Sequence, residues 1–308
     1  MMIPCASAVL MIRPACFGFN AETAESNAFQ QKVEGDIQQK AVEEFNASVD
    51  LLLSHGLQVI IADDSEKPLP DSAFPNNWFS THHDGTVIIY PMLSEIRRKE
   101  KRMDVFRKIL PDAGFQISNF HDLSYFETEN KFLEGTGSMV MDHQNKMIYA
   151  CRSSRTFEEP LKKVSLLLRY DYLLFDARLD GKEIYHTNVL MAIGNRFAVI
   201  CPEVLDEQYR TEVMDRLSSS RELLVISVKQ LKNMAGNMLM TFNKSREQLC
   251  ILSQTAFDSL LPEQIRLIEK SAMPVICNIP TIEKTGGGSI RCMLAEIFLP
   301  HAPLTGTC

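Results

Sequence analysis

The chain contains, from residue 134 to residue 149, the segment Glu134-Gly-Thr-Gly-Ser-Met-Val-Met-Asp-His-Gln-Asn-Lys-Met-Ile-Tyr149. A polar residue opens the segment, a short apolar strand follows, and a polar turn leads into a second apolar strand. Four other segments repeat this pattern, at residues 77–90, 186–200, 237–252 and 287–299. The leading polar residues of the five segments stand at positions 77, 134, 186, 237 and 292, and successive positions are 57, 52, 51 and 55 residues apart. The near-constant spacing indicates one structural unit that occurs five times.

Apolar residues at helical spacing lie between the strand pairs and complete the unit. Two such series are Val42, Phe45, Val49 and Leu52 before Gly56, and Met103, Phe106, Ile109 and Leu110 before Pro111. Asp84-Gly85 and Gly194-Asn195 have the composition of hairpin turns. The sequence therefore predicts an α/β fold built from strand, strand, helix, strand units (ββαβ), arranged as a five-bladed pseudo-symmetric propeller.

The first apolar segment and the last repeat are each incomplete. Residues 8–12 form a strand with no unit before it, and the last repeat has no strand after it. We therefore expect the N- and C-terminal strands to complete one blade together, which closes the ring and removes exposed strand edges. The whole chain, residues 1–308, is then a single propeller domain. A solenoid is the alternative, but its end units should be polar caps, and these are not.

Composition and charge restrict the classes of partner. The chain of 308 residues has a net charge of −7 and a pI of about 5.6, which argues against a nucleic-acid surface. A basic run at residues 97–102 is typical of the solvent-facing side of a helix. No apolar stretch has the length of a membrane span, and residues 5–12 resemble a strand more than a signal peptide. We therefore expect a cytoplasmic protein with reduced thiols.

Cys292, His186 and Glu134 are the leading residues with catalytic chemistry. Rotation about a common axis would bring equivalent positions of the repeats together at one mouth, although the chain separates them widely. A cysteine attacks as its thiolate, a histidine can activate it and move the proton, and a carboxylate can orient the imidazole or the substrate. Taken singly, each has an ordinary explanation as a buried thiol, a core histidine or a turn. Their shared phase in the repeat favours a nucleophilic site.

Neither a metal nor a cofactor is predicted. Residues 82–84 read His-His-Asp but lie at a hairpin turn, and no third ligand is identifiable nearby. The glycines at 286–288 lack the lysine and hydroxyl residue of a phosphate loop and open onto a strand. Close backbone approach to a ligand, or flexibility before Cys292, is the expected role of these glycines.

Three motifs in this order resemble the amidinotransferase and arginine deiminase (pentein) superfamily: Glu134-Gly135, His186-x-Asn188 and Gly-Gly-Gly-Ser-Ile-Arg-Cys292. Within it, Phe74-Pro-Asn-Asn77-Trp and Ile279-Pro-Thr-Ile-Glu-Lys-Thr-Gly-Gly-Gly resemble the citrulline-utilising hydrolases, also called citrulline ureidases. The resemblance implies a five-bladed α/β propeller of the pentein type.

The resemblance also implies residue roles. Cys292 is the nucleophile, His186 the general acid and base, and Glu134 the carboxylate that contacts the substrate or His186. The proposed substrate-binding residues, all carried over or placed at the mouth by the repeat, are Asn76, Asn77, Arg155, Asn188, Asn237 and Arg291, with Arg98 as a further candidate for the substrate α-carboxylate. Asn77 and Asn188 stand where many relatives carry aspartate.

The two asparagines bear on the substrate. A pair of aspartates favours a guanidinium cation, whereas a neutral amide offers both a donor and an acceptor, which suits a ureido group. The expected activity is hydrolysis of citrulline to ornithine, ammonia and carbon dioxide through a covalent Cys292 adduct. The alternatives are an arginine deiminase, an arginine dihydrolase, and a non-catalytic ligand-binding propeller. The expected partner is a small-molecule amino acid; the sequence leaves the oligomeric state open, a homo-oligomer included.

Overall fold

The computed structural model describes residues 5–64, 67 and 69–302. Its strands are β1 (Ala8–Arg13), β2 (Gln58–Asp63), β3 (Phe79–Thr81), β4 (Thr86–Ile89), β5 (Asn119–Asp122), β6 (Met139–Asp142), β7 (Met147–Cys151), β8 (Asp171–Phe175), β9 (Arg178–Leu179), β10 (Lys182–Glu183), β11 (Met191–Ile193), β12 (Phe197–Ile200), β13 (Glu222–Val225), β14 (Leu239–Phe242), β15 (Gln248–Ser253), β16 (Met273–Cys277) and β17 (Ala295–Ile297).

The helices are α1 (Ala21–Ala24), α2 (Ile37–Ser54), α3 (Glu95–Arg98), α4 (Leu110–Asp112), α5 (Gly135–Ser138), α6 (Glu158–Leu168), α7 (Glu207–Ser218), α8 (Val228–Lys232), α9 (Gln254–Ser259), α10 (Pro262–Glu269), α11 (Pro280–Gly286) and α12 (Ile290–Met293). Short 3-10 turns occupy residues 75–77, 124–129, 187–189 and 202–204, and a π-helical turn at residues 105–109 precedes α4. The fold is therefore of the mixed α/β class, as predicted.

Five three-stranded sheets share one topology, and a small hairpin of β9 and β10 stands apart from them. The five sheets have the strand orders β17-β1-β2, β3-β4-β5, β6-β7-β8, β11-β12-β13 and β14-β15-β16. In each, the middle strand pairs antiparallel with the first strand and parallel with the third. A parallel pair needs a crossover connection, and helical residues lie in every one of these connections.

Each of the first four repeated segments supplies the first two strands of one sheet. The segment at 134–149, for example, supplies β6 and most of β7, which pair with Val140 opposite Tyr149. The last segment differs from the prediction, because residues 287–299 form the single helical turn α12 and one strand, β17. That strand pairs with β1, with Leu10 opposite Ala295.

The middle strands are buried at every residue except Arg13 at the end of β1 and Gln248 at the start of β15, which explains why they read as mostly apolar runs. Strands β4 and β12 are fully buried at every residue, as expected where both faces of a sheet are covered. Helix α2 buries Phe45, Val49 and Leu52 on the face that the helical spacing predicts. Among the described residues, no helix combines the length and the apolar character that crossing a bilayer requires.

Candidate active site

The leading polar residue of each repeat lies in or beside a short turn that precedes an edge strand of one of the three-stranded sheets. Asn77 ends a 3-10 turn before β3, His186 starts one before β11, and Glu134 caps α5 before β6. Cys292 lies in α12, directly before β17. Because each sheet presents this turn in the same way, residues far apart in the chain come into one neighbourhood.

Glu134 and His186 form a close polar pair in this neighbourhood. The Nε2 atom of His186 lies 2.8 Å from Oε2 of Glu134, and both side chains are buried. The other carboxylate oxygen, Oε1, accepts the backbone N–H of Leu93 at 3.1 Å. An ionised carboxylate only accepts hydrogen bonds, so the proton of the neutral imidazole lies on Nε2 and the lone pair on Nδ1.

The environment sets the charge states of this pair. Burial lowers the pKa of His186 to about 4, although the hydrogen bond and charge of Glu134 act in the opposite direction. Burial alone would raise the pKa of Glu134, but the charge of Arg155 and the contact with His186 bring it well below its usual range. At neutral pH the pair is therefore a carboxylate beside a neutral imidazole.

The sulfur of Cys292 is buried and surrounded by amide groups. Nδ2 of Asn188 lies 3.6 Å from Sγ, and Nδ2 of Asn237 lies 3.4 Å from it. Asn237 also donates to the backbone carbonyl of Asn188 at 3.0 Å, which fixes the orientation of the Asn237 amide. The structure thus places these two predicted substrate-binding residues beside the sulfur of Cys292.

His186 and Cys292 open onto one pocket of about 280 Å³. The other residues that line the pocket are Thr23, Asn27, Asp71, Phe74, Asn77, Arg97, Arg155, Tyr185, Gly286 and Gly288. The lining therefore carries charged side chains of both signs.

The segment before α2 covers the pocket. Nδ2 of Asn27 donates to the carbonyls of Gly286 and Gly287, at 3.4 and 3.2 Å. Gly287 has a φ of +63°, and a Cβ there would lie 2.5 Å from the Asn27 amide. The predicted close backbone approach at these glycines is therefore made, in this structure, by the covering segment.

Two buried arginines face the pocket. Arg155 donates to Thr23 and Ser26 in the covering segment and, at 3.3 Å, to Glu134, and its guanidinium lies 5.0 Å from the ring centroid of Tyr185. Arg97 donates to Oδ1 of Asn77 at 2.7 Å. It also donates to the Phe74 carbonyl and to both oxygens of Glu100. Among the described residues, each guanidinium uses four of its five N–H groups on these acceptors, which leaves one N–H on each Nη1.

Asp71 is the buried carboxylate of the pocket that the sequence did not indicate. Its Oδ2 accepts from Asn20 at 2.8 Å and from Thr23 at 3.1 Å, and it lies 3.9 Å from Nε of Arg97. Its Oδ1 is buried and has no hydrogen-bond partner within the described part of the chain. Burial raises the pKa of Asp71, and the nearby charge of Arg97 opposes that shift.

Several predicted site residues do not line the pocket. Glu134, Asn188 and Asn237 contact His186 or Cys292 but are not part of the pocket lining. Nδ2 of Asn76 lies 3.3 Å from the Thr136 hydroxyl, and Asn76 does not line the pocket. Arg291 donates to the Leu294 carbonyl and to Glu296, and lines a second cavity instead. The structure therefore does not bring these two together with Cys292.

The interpretation of the basic run at 97–102 was wrong at its first residue. Arg97 is 2% exposed and lies inside the pocket wall, because three acidic side chains, Asp71, Glu100 and Glu134, lie within 4.0 Å of its guanidinium. Arg98 does keep to the outside, where it contacts the carbonyls of Met92 and Leu93. Only the tertiary positions of the three carboxylates distinguish the two arginines.

The chain matches known proteins over nearly its whole length. Residues 13–299 match the sequence profile of the family described as N,N dimethylarginine dimethylhydrolase, eukaryotic. Among curated proteins, none shows a significant match to the chain.

Solved structures show the same fold at low sequence identity. The apo structure of ArgZ, an arginine dihydrolase of the ornithine-ammonia cycle in cyanobacteria, has a TM-score of 0.74 and 15% identity; the match covers 96% of this chain and 41% of ArgZ. The chain thus spans about two fifths of full-length ArgZ, but the match to the substrate-bound N-terminal domain of ArgZ covers 99% of that domain, at 14% identity, 95% coverage of this chain and a TM-score of 0.74.

A third solved structure belongs to the family that the profile describes. It is a dimethylarginine dimethylaminohydrolase variant in an adduct with S-methyl-L-thiocitrulline, with a TM-score of 0.67 and 14% identity, and the match covers 95% of this chain and 100% of that one. The profile match and the shared mixed α/β fold agree with the motifs around Glu134, His186 and Cys292. The chain therefore belongs to the N,N dimethylarginine dimethylhydrolase family, a family of hydrolases within the pentein, or amidinotransferase and arginine deiminase, superfamily.

Proposed function

We propose that the chain hydrolyses a ureido group at the end of an α-amino acid, with citrulline as substrate and with ornithine, ammonia and carbon dioxide as products. The observation that carries this choice is the orientation of Asn77. Its Oδ1 accepts from Arg97, so the amide NH₂ group points elsewhere. That Nδ2 is buried and has no partner among the described residues.

An unused donor in the pocket selects for an acceptor on the substrate. A ureido group carries a carbonyl oxygen, whereas a guanidinium carries only N–H groups. Leaving a buried donor unsatisfied costs about 1–3 kcal/mol, so the Asn77 amide favours a neutral ureido group over a guanidinium cation. The amide cannot turn over without losing its hydrogen bond to Arg97.

The charged groups of the pocket suit the α-amino and α-carboxylate groups. Arg97 and Arg155 each retain one N–H, and paired guanidinium groups bind carboxylates strongly. Oδ1 of Asp71 is left to accept from an ammonium group. Arg97 would then bind the α-carboxylate and also orient Asn77.

The chemistry would proceed in two stages. The sulfur of Cys292 attacks the ureido carbon, and Nδ1 of His186 takes the thiol proton and passes it to the departing ammonia. The product is a thiocarbamate in which the ureido carbon is bonded to sulfur and to the ornithine side-chain nitrogen. Water, deprotonated by His186, attacks this carbon, and the C–S bond breaks with return of the proton to sulfur. The released carbamate then loses carbon dioxide to give ornithine.

Arginine dihydrolysis is the second candidate, and a specific observation favours it. One carboxylate, that of Asp71, lines the pocket and can pair with a guanidinium, and a second, that of Glu134, contacts the pocket residue His186. An arginine dihydrolase must also process a ureido intermediate, which the Asn77 amide would suit equally well. ArgZ, with the same fold, is an arginine dihydrolase.

The five sheets of equal topology support a proposal about architecture. They would be the five blades of one propeller domain, with the pocket on the axis at the end where the leading turns meet. The pairing of β1 with β17 supports a blade shared by the two ends of the fold.

A substrate panel tests the proposed activity. Purified protein is incubated with citrulline, arginine or N,N-dimethylarginine, and ornithine, citrulline and ammonia are quantified. We expect ornithine from citrulline, and no turnover by Cys292→Ser, while Cys201→Ala, at a buried thiol that does not line the pocket, keeps the wild-type rate. Ornithine from both arginine and citrulline would favour the dihydrolase, and products from arginine or dimethylarginine alone would overturn the citrulline proposal.

A further inference from the structure

Cys292 must become an anion, yet among the described residues no cationic side chain donates a hydrogen bond to its sulfur. The partners that do so are the side-chain amides of Asn188 and Asn237, at 3.6 and 3.4 Å from Sγ. The imidazole in the same pocket is held neutral by burial. The usual source of thiolate stabilisation, an adjacent imidazolium, is therefore missing at neutral pH.

We infer that Asn188 and Asn237 act on the nucleophile: their two amide N–H groups form a cradle that stabilises the Cys292 thiolate formed when His186 takes the thiol proton. Both residues would then activate the sulfur instead of binding the substrate. This inference rests on Cys292 being the nucleophile of the proposed function, but not on which substrate the pocket takes.

The hydrogen bonds around the sulfur support this assignment. Asn237 directs one N–H to the Asn188 carbonyl and the other to Sγ, so its amide is oriented by the backbone even when the thiol is neutral. Its Oδ1 lies 3.8 Å from Sγ, within reach of an S–H donor. Asn237 can therefore hold the protonated thiol through its oxygen and the thiolate through its nitrogen.

The neutrality of the two residues matters as much as their donors. A carboxylate at position 188 would lie beside the sulfur and repel the thiolate, whereas the amide attracts it. Oδ1 of Asn188 is buried without a partner in the described residues. The nitrogen of this amide thus contacts the sulfur, and its oxygen is left to accept a hydrogen bond.

The test is the alkylation rate of Cys292 by iodoacetamide, measured on the substrate-free full chain by peptide mass spectrometry. Asn188→Leu and Asn237→Leu keep approximate size but remove the donors. Hydrogen bonds to a charged group contribute about 1.5–3 kcal/mol, so we expect each variant to react about tenfold more slowly at pH 7. As the pH is raised, hydroxide favours the thiolate in the wild type and the variants alike, so the rates should converge on the wild-type rate. Asn188→Asp should react more slowly than Asn188→Leu at pH 7.

A matched control separates this inference from the substrate assignment. Asn77 lines the same pocket. In the described part of the chain it forms no hydrogen bond with the sulfur, so Asn77→Leu should be alkylated at the wild-type rate while its citrulline turnover falls. Wild-type alkylation rates in the Asn188 and Asn237 variants at pH 7, or a slowing that persists unchanged at high pH, would overturn the cradle. A wild type that turns over arginine and not citrulline would refute the proposed substrate and leave the cradle intact.

Discussion

Arg97 donates a 2.7 Å hydrogen bond to Oδ1 of Asn77, and by doing so it determines which end of that amide faces the pocket. The substitution Asn77→Asp replaces the free NH₂ group by a charged oxygen. We expect kcat/KM for arginine to rise relative to citrulline by at least tenfold, because the new carboxylate attracts a guanidinium and repels the ureido oxygen. Competition assays with both substrates measure this ratio. An unchanged ratio would mean that Asn77 does not contact the reacting end.

Arg155 should act on binding more than on chemistry. We expect Arg155→Met to raise KM for citrulline by about a hundredfold, with a smaller change in kcat, since the lost contact is to the α-carboxylate and is made equally in ground and transition states. N-carbamoylputrescine, which lacks that carboxylate, is the matched substrate. The wild type should use it poorly, and the substitution should cause little further loss. Equal losses on both substrates would assign Arg155 a structural role only.

Gly137 lies against Asn77 and His186 at a position with no room for a side chain. A Cβ there would lie 2.4 Å from Nδ2 of Asn77 and 2.7 Å from Nδ1 of His186. We expect Gly137→Ala to displace both groups and to lower kcat/KM by about a hundredfold, because a shift of about 1 Å in reacting groups has an effect of this size. Gly18→Ala is the control, since nothing lies within 4 Å of its Cβ position. Similar activity in the two variants would contradict the prediction.

His82 should make stability depend on pH. It is buried, Ser80 Oγ lies 2.8 Å from its Nε2, and burial lowers its pKa to about 3, with His143 and His83 acting in the same direction and Asp84 opposing them. Below pH 6.5 the unfolded chain binds a proton here that the folded chain does not, so stability falls as pH decreases towards 3.

The variant His82→Gln isolates that proton. Its free energy of unfolding should decline less steeply than that of the wild type between pH 6 and pH 4, by about 1.4 kcal/mol per pH unit. Urea denaturation at several pH values measures both slopes, and contributions from other groups cancel in the comparison. Parallel curves would show that His82 is not the group responsible.

The sequence predicted that Glu134, His186 and Cys292 come together, because they hold equivalent positions in the repeat and that spacing can be read from the sequence. It did not predict Asp71 and Arg97, because neither holds an equivalent position. Arg97 stands in a charged run that is typical of an exposed helix face, and its burial depends on carboxylates that approach only in the fold.

The roles of the asparagines show the same division. The repeat predicted the position of Asn237 and the family resemblance that of Asn188, but neither could tell whether these amides face the substrate or the sulfur. That depends on the folded side chains, whose Nδ2 atoms lie 3.6 and 3.4 Å from Sγ. Arg291 illustrates the converse, since it is adjacent to Cys292 in sequence but extends to Glu296 and away from the pocket.

The pairing of β1 with β17 has a consequence for synthesis on the ribosome. Ala8 can pair with Gln58 of β2 early, but its other neighbour, Ile297, is made 289 residues later (297 − 8 = 289). Such a non-local pairing forms late, and until then one edge of β1 is open to unwanted partners. Cys292 is synthesised just before β17, the strand that pairs with this edge. A nascent chain would therefore contain the strands of the other four sheets before it contains Cys292 and the strand that completes the first sheet.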